Sequence, residues 1–533
     1  MGLAVAPGDA HWGPPLPSES LHRLAALYGA SAHPVDVVAA MDRCAREDGP
    51  LAIRALLPWI VKGGSPGERA LRDHACELAG GLLRSLPSAK LPTIERTLRR
   101  AESNSAGSCD WWLVGPSDVS SLVIAPHEAL ILGLLSSHGH GRVREEAVRE
   151  LANEGPDALP WLLVRAVDWV EPVARQARVA LAARLVPSNA PSFVPLLPLV
   201  ERLRGFARAP RSLLAEIDAF VLAQPGLLEH FGLGSGDPLV RRRAFALLRD
   251  AGGLTDDVIA RALDDVDPHG RLLAASAVGS GPAHRSLRER LWADRTGRIR
   301  RTGLERMVAA GDPGVRHRLI EGLSDRTETV RIVARFHLAQ RESFDVLGHL
   351  RSLLAEAPDE GVISGLASVA RADEVPRLEP LLEHPSARIV SATIRALGTL
   401  DRSATRELRF ILVDDPRPSV SRAATRSVRA QVWGSDAEFL VRCLDSEHLH
   451  VRRNTLSLIA RLRPAVALPL LLGVEDPTVT EEAERLVRLL VHAQFGGGID
   501  PSGPGRRWVH RYFEAMGLSA RAITKLMRLH ERG

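Results

Sequence analysis

A valine followed four residues later by an alanine, with arginines set between them, recurs along most of the chain. Both apolar positions fall on one face of a helix, and the small alanine leaves room for a neighbouring helix to approach closely. The fuller pattern is D-P-x-V-R-x-x-A followed by a helical run. It is seen in GDPLVRRRAFALLRD (236–250), DRTGRIRRTGLERMV (294–308), DRTETVRIVARFHLA (325–339), DPRPSVSRAATRSVR (415–429), SEHLHVRRNTLSLIA (446–460) and EDPTVTEEAERLVRL (475–489). The register residues Val240, Gly270, Ile299, Val330, Val362, Ile389, Val420, Val451 and Val479 are separated by 30, 29, 31, 32, 27, 31, 31 and 28 residues. Weaker copies sit at Val143 and Val173, and the gap of 67 residues before Val240 has room for one degenerate unit around 204–222. A period of this length is the mark of a repeat array.

Each unit reads as two helices. A first helix such as VRHRLIEGLSD, TRELRFILVDD or AEFLVRCLDS ends in an acidic turn, and the second opens on Asp, Pro or both. Asp accepts hydrogen bonds from the free amides of a helix start, and Pro there forfeits no bond. One such pair cannot bury its apolar face alone, whereas stacked pairs can. The expected fold is therefore all-α, an α-solenoid of about 10–12 helix pairs.

The pattern resembles the HEAT-repeat family, in particular the short repeats of the phycobilin-lyase type, over roughly 129–493. The resemblance implies that the V-R helix of each unit lines the concave face of a superhelix. Around that array the sequence divides into a Pro-rich flexible N-terminus (1–20) and a divergent helical cap region (21–128) with a loop at 102–121. A Gly-rich linker (494–505) and a basic helical C-terminal segment (506–533) follow the array.

Composition agrees with helix-on-helix packing: 45% of residues are hydrophobic but only 4% aromatic. Three of the 69 basic residues are Lys (Lys62, Lys90, Lys525), a skew that GC-rich coding would produce without any chemical need. The four Cys lie more than thirty residues apart with no C-x-x-C pair, as in a protein of reduced thiols. The N-terminus lacks a basic region and a long apolar run, and no apolar stretch reaches the roughly 18 residues a membrane span needs. A cytoplasmic location and no membrane contact are expected.

Charge is segregated. Seven basic residues against two acids in 506–533 account for the whole net charge of +5. Seven register helices between 240 and 461 hold 20 Arg and one acid, Glu305, while the matching acids lie on first helices and turns. If the family geometry holds, Arg242, Arg301, Arg335, Arg395, Arg422 and Arg453 form a positive concave surface for an anionic partner. The Arg directly after each register residue (Arg241, Arg271, Arg300, Arg331, Arg452) is expected instead to pair with turn Asp residues. The last repeat reverses sign through Glu481, Glu482 and Glu484. In the C-terminal segment, GLSARAITKLMRLH reads either as the second half of a helix-turn-helix, with Arg507, Arg521, Lys525 and Arg528 available to a partner, or as a helix docked on the end of the array.

Catalytic motifs are absent: there is no H-E-x-x-H, no G-x-S-x-G and no phosphate-binding Gly loop. The repeated His-Glu pairs of HEAT-like di-iron hydroxylases are missing, and so is the Trp that HEAT-like alkylpurine DNA glycosylases place on this surface. His127, His138 and His140 lack an evident fourth metal ligand, and Trp111-Trp112 reads as a lid on the local core or as a partner anchor. The sequence thus points to a non-catalytic scaffold with no cofactor and no metal. It would bind a protein partner, most simply an acidic one, with nucleic acid as the alternative; it does not fix an oligomeric state.

Overall fold

Asp237 begins a second helix in the manner expected. Its carboxylate accepts from the N–H of Leu239 at 2.7 Å, Pro238 takes the first helical position, and the helix runs Pro238–Asp250. Asp267 and Pro268 start Pro268–Ala277 in the same way, and Asp359 starts Glu360–Ala367 by accepting from Val362 at 2.7 Å. Where no acid stands at the cap, as at Ser386, Arg417 and His448, the helix still starts, because its apolar face is buried by its neighbours.

The computed structural model describes residues 19–28, 33–62, 65–99, 110–341, 344–495 and 511–531, and every element among them is helical. They form an all-α solenoid of stacked helix pairs, in two units that divide between Val278 and Gly279. In the first unit the register helices are Gly141–Leu151, Glu171–Ala182, Pro238–Asp250 and Pro268–Ala277. Between the second and third of these, Leu197–Arg204 and Arg211–Leu222 fill the degenerate gap. In the second unit they are Gly297–Ala310, Glu328–Arg341, Glu360–Ala367, Ala387–Leu400, Pro418–Val428, Leu449–Ile459 and Thr480–Phe495.

The register residues Val143, Val173, Val240, Ile299, Val330, Val362, Val420, Val451 and Val479 are each at most 3% exposed. Alanines four residues on (Ala147, Ala177, Ala244, Ala274, Ala334, Ala424) are fully buried. Gly303 takes this place in its own repeat because a Cβ there would stand 2.8 Å from Leu291 Cβ and 2.9 Å from the Trp292 nitrogen. One register assignment shifts. In Ala387–Leu400 the fully buried residue is Val390, and Ile389 is only partly buried. This helix is rotated so that Val390 and Ile394 face the following repeats while Ala392 and Ala396 face the preceding ones.

Much of the region read as a loop at 102–121 is ordered into short turns of helix, Asp110–Leu113, Pro116–Asp118 and Val119–Leu122, with 101–109 outside the described residues. Trp111 is buried, and both it and Trp112 lie against His138, with ring centroids 5.3 and 5.4 Å away. The pair folds back on the core. Residues 1–18 and most of the Gly-rich linker are likewise outside the described residues. In the C-terminal segment, Phe513, Leu518, Ile523, Leu526 and Met527 are buried in the same core as Leu472, Val487 and Val491 of the last repeat, so the segment closes the end of the array. No helix among the described residues is long and apolar enough to cross a membrane.

Candidate functional site: two sets of arginines on the second helices

The arginine that follows the register residue turns into the stack. Arg241 places Nε and Nη2 at 2.7 Å from the two oxygens of Asp265 in the next turn, and its Nη1 donates to the Ser235 carbonyl at 2.7 Å. Arg144 does the same to Asp168, and Arg452 places Nε at 2.8 Å from Asp476. Each guanidinium therefore joins one turn to the next, 24 residues further on, through the planar fork that Lys lacks. The acid is fixed from its other side: Asp265 also accepts from the Asp267 N–H at 2.8 Å, and Asp168 from that of Val170 at 2.9 Å.

This use of arginine extends beyond the register helices. Arg72, Arg144, Arg165, Arg271, Arg288, Arg300, Arg331 and Arg409 are all buried. Arg288 grips Asp312 at 2.7 and 2.6 Å and also bonds the Gly279 and Gly281 carbonyls. Arg409 is satisfied by neutral groups, the Thr405 and Ser427 oxygens and the Gln431 amide among them, and burial lowers its pKa. The Arg-for-Lys skew attributed above to coding bias thus has a structural use.

Hydrogen bonds from Arg241 hold Asp265 below the usual carboxylate range, those from Arg288 do so for Asp312, and burial opposes both. At Asp267 burial opposes ionisation, but bonds from Arg242 and from the Gly270 and His269 amides prevail, leaving a pKa of about 2.

The six arginines expected on the partner-binding face meet different surroundings. Arg242 pairs with Asp267 across the repeat and is half-buried. Arg301 pairs with Glu305 at 2.8 Å and Arg395 with Glu360 at 2.7 Å, all four side chains being exposed. Arg335 donates to the Ser368 carbonyl at 2.8 Å, where the helix Glu360–Ala367 ends. Arg422 and Arg453 are exposed, and no acidic partner meets them among the described residues. Arg426, one turn beyond Arg422, is in the same condition and was not singled out from the sequence.

Arg422 and Arg453 stand two residues after buried valines, on helices Pro418–Val428 and Leu449–Ile459 that pack together. The signal for Arg426 was in the pattern, since i and i+4 share a helix face.

At the C-terminus Lys525 donates to the Leu472 carbonyl at 2.8 Å and so caps the helix Pro464–Leu472. Arg521 and Arg528 face outward beside it, Arg521 being 4.0 Å from Glu475. Arg507 lies outside the described residues.

No group of three His, Cys, Asp or Glu able to hold a metal is found among the described residues. His138 has Nδ1 accepting from the His140 N–H at 3.0 Å and Nε2 at 3.0 Å from the Trp111 carbonyl. Burial pushes the thiols of Cys44, Cys76 and Cys443 up to about 12.

Together these residues define an all-α solenoid of stacked helix pairs, with one set of arginines inside the stack and another on its surface. No family model matches the sequence, and no curated protein matches it. Among solved structures the chain is similar to importin beta in an ammonium sulfate condition, with 12% identity over 94% of this chain and 80% of that one, at a TM-score of 0.37. It is also similar to Kap121p bound to Pho4p (14% identity, 90% of this chain and 58% of that one, TM-score 0.27). For the Kap95:Nup1 complex the figures are 12%, 96%, 66% and 0.30. The chain thus spans less than two thirds of the length of the last two.

Proposed function

We propose that this chain is a non-catalytic scaffold that binds an acidic protein partner on the exposed arginines of its second helices. The observation that carries the reading is the set Arg422, Arg426 and Arg453: three exposed guanidiniums on two packed helices, with no acidic partner among the described residues. Arginines in the stack are matched to acids or carbonyls, whereas these three gather their exposed charge on two adjoining helices. A guanidinium fork binds carboxylates through paired, charge-assisted bonds, and a cluster of them draws in an anionic surface. Arg301 and Arg395 extend the set as exposed pairs, which are worth about 0–1 kcal/mol and exchange readily for a better acceptor.

The test is binding of polyglutamate to the full chain, compared with the Arg422→Glu/Arg453→Glu variant and with Arg175→Glu, an exposed arginine of the first unit. Polyglutamate should bind the parent and the control alike and fail to bind the double variant. If duplex DNA binds more tightly than polyglutamate and the double variant loses it, the surface is a nucleic-acid site and the reading is wrong.

A further inference from the structure

The exposed face of the second unit is not uniformly basic. On the helix Glu328–Arg341, Ile332 and Phe336 stand one turn apart on one face and are 46% and 56% exposed. Ile332 occupies the position, two residues after the buried register residue, that holds Arg301, Arg422 and Arg453 in other repeats; Phe336 matches Glu305 and Arg426. The helices that follow it, Glu360–Ala367, Ala387–Leu400, Pro418–Val428 and Leu449–Ile459, each pack against the next, so the face continues across the unit, and in the rotated helix Ala387–Leu400 it is Arg395, one residue before the matching position, that reaches the surface. The surface begins with a bulky apolar pair, crosses the half-buried Ser364 and Ser368 and the matched pair Arg395–Glu360, and ends at Arg422, Arg426 and Arg453. Three acids share this face: Glu305 and Glu360 are already paired with Arg301 and Arg395, and the exposed Glu328 stands one turn before Ile332, at the apolar end and away from the arginines.

We propose that this face takes one extended acidic peptide, whose bulky apolar side chains cover Ile332 and Phe336 while a run of carboxylates some eight or nine residues away pairs with Arg422, Arg426 and Arg453. The proposal rests on the acidic-partner reading above and adds its geometry. From Glu328–Arg341 to Pro418–Val428 is three helix steps of about 8–10 Å, roughly 25–30 Å, which an extended chain covers at about 3.3 Å per residue. Charge complementarity sets one end of the peptide and burial of apolar surface the other. The acidic helix of a second copy, Thr480–Phe495, does not fit: it carries Glu481 and the exposed Leu489 eight residues apart, only about 12 Å at 1.5 Å per residue.

The experiment is fluorescence anisotropy of the full chain with labelled synthetic peptides made in both chain directions. The first carries a leucine pair, a neutral Gly-Ser spacer of about eight residues and a glutamate run. The second has alanines in place of the leucines, and the third a spacer of about two residues. The first should bind at least about tenfold more tightly than either of the others. Ile332→Ser/Phe336→Ser should erase that advantage and leave the glutamate-dependent part, and Arg422→Glu/Arg453→Glu should remove all binding. Each variant's folding is checked by circular dichroism. Equal affinity for leucine and alanine peptides, with the arginine dependence intact, overturns this inference and leaves the acidic-partner reading standing. Tightest binding by the short-spacer peptide overturns the geometry alone. Indifference to the arginine changes, or displacement of every peptide by duplex DNA, overturns both.

Discussion

Arg300 closes a two-toothed pair on Asp325 of the next turn, Nε and Nη2 each lying 2.7 Å from a different carboxylate oxygen, while Nη1 returns to the Asp294 carbonyl at 2.8 Å. One repeat further on, the same contact is half made. Arg331 reaches the Asp325 carbonyl at 2.8 Å, but its Nε is buried without a partner, and Ala357 stands five residues before Val362 where Asp325 stands before Val330.

Removing these two arginines should therefore have very unequal consequences. Arg300→Met leaves the half-buried Asp325 carboxylate with only the Thr327 N–H and should cost about 3 kcal/mol, whereas Arg331→Met removes a buried cation that makes no ion pair and should change stability by about 1 kcal/mol or less. Urea unfolding midpoints of the two variants, followed by circular dichroism, decide the matter. Equal losses would mean that Arg331 finds its charge partner elsewhere.

Acid should loosen the stack in a defined window. Asp265, Asp312 and Asp325 titrate below their ordinary range in the folded chain and Asp267 at about 2, so the stability they contribute is complete above the unfolded value near 4 and is lost as pH falls toward 2. Melting temperature measured against pH should be flat from neutrality to about pH 5 and fall steeply below pH 4. In Asp267→Asn, which keeps a capping side chain, the fall should be shallower.

Two glycine-to-alanine changes should differ in sign. A Cβ on Gly361 would stand 1.7 Å from the Ser324 carbonyl oxygen of the preceding repeat, so Gly361→Ala forces the helices apart at a cost of about 1–3 kcal/mol. Gly67, near the start of Pro66–Arg84, has nothing within 4 Å, and Gly67→Ala should raise stability by about 0.5–1 kcal/mol. Thermal melts compare both with the parent.

Cys44, Cys76 and Cys443, with their thiols held near 12, should resist alkylation in the folded chain and react together once denaturant opens it. Mass spectrometry after timed iodoacetamide labelling reads each site. Fast native labelling of Cys443 would place the opening of its repeat well below global unfolding in free energy.

Loss of the terminal segment should destabilise the array. Ile523→Ser removes a fully buried side chain from the closing helix, and the expected result is a lower melting temperature with increased binding of a hydrophobic dye. An unchanged melt would show that the last repeat holds without it.

The repeat register was legible because Val-x-x-x-Ala and Asp-Pro are local signals: packing wants the first pair on one face, and the second satisfies free amides at a helix start. The sequence also separated Arg241, Arg300 and Arg452 from the arginines one residue later, since adjacent residues point about 100° apart on a helix. Which of the later arginines are matched was not legible. Arg242 depends on Asp267, and Arg395 on Glu360, residues 25 and 35 positions away whose approach is set by the stacking of neighbouring repeats. The shift from Ile389 to Val390 is of the same kind, because a helix rotated by its neighbours leaves no trace in a pattern where both residues are apolar. The division at Val278 has no compositional mark either.

The forward reach of the arginine pairs bears on how the chain is made. Arg144, Arg241, Arg300 and Arg452 each pair with an acid 24 or 25 residues later, which the ribosome adds about 1–5 s afterwards at about 5–20 residues per second. In these repeats the newest helix pair therefore emerges with its guanidinium unmatched and is latched by its successor. At these four points assembly follows synthesis like a zipper one tooth behind, and an arrest just after one of them leaves a single open tooth at the growing end.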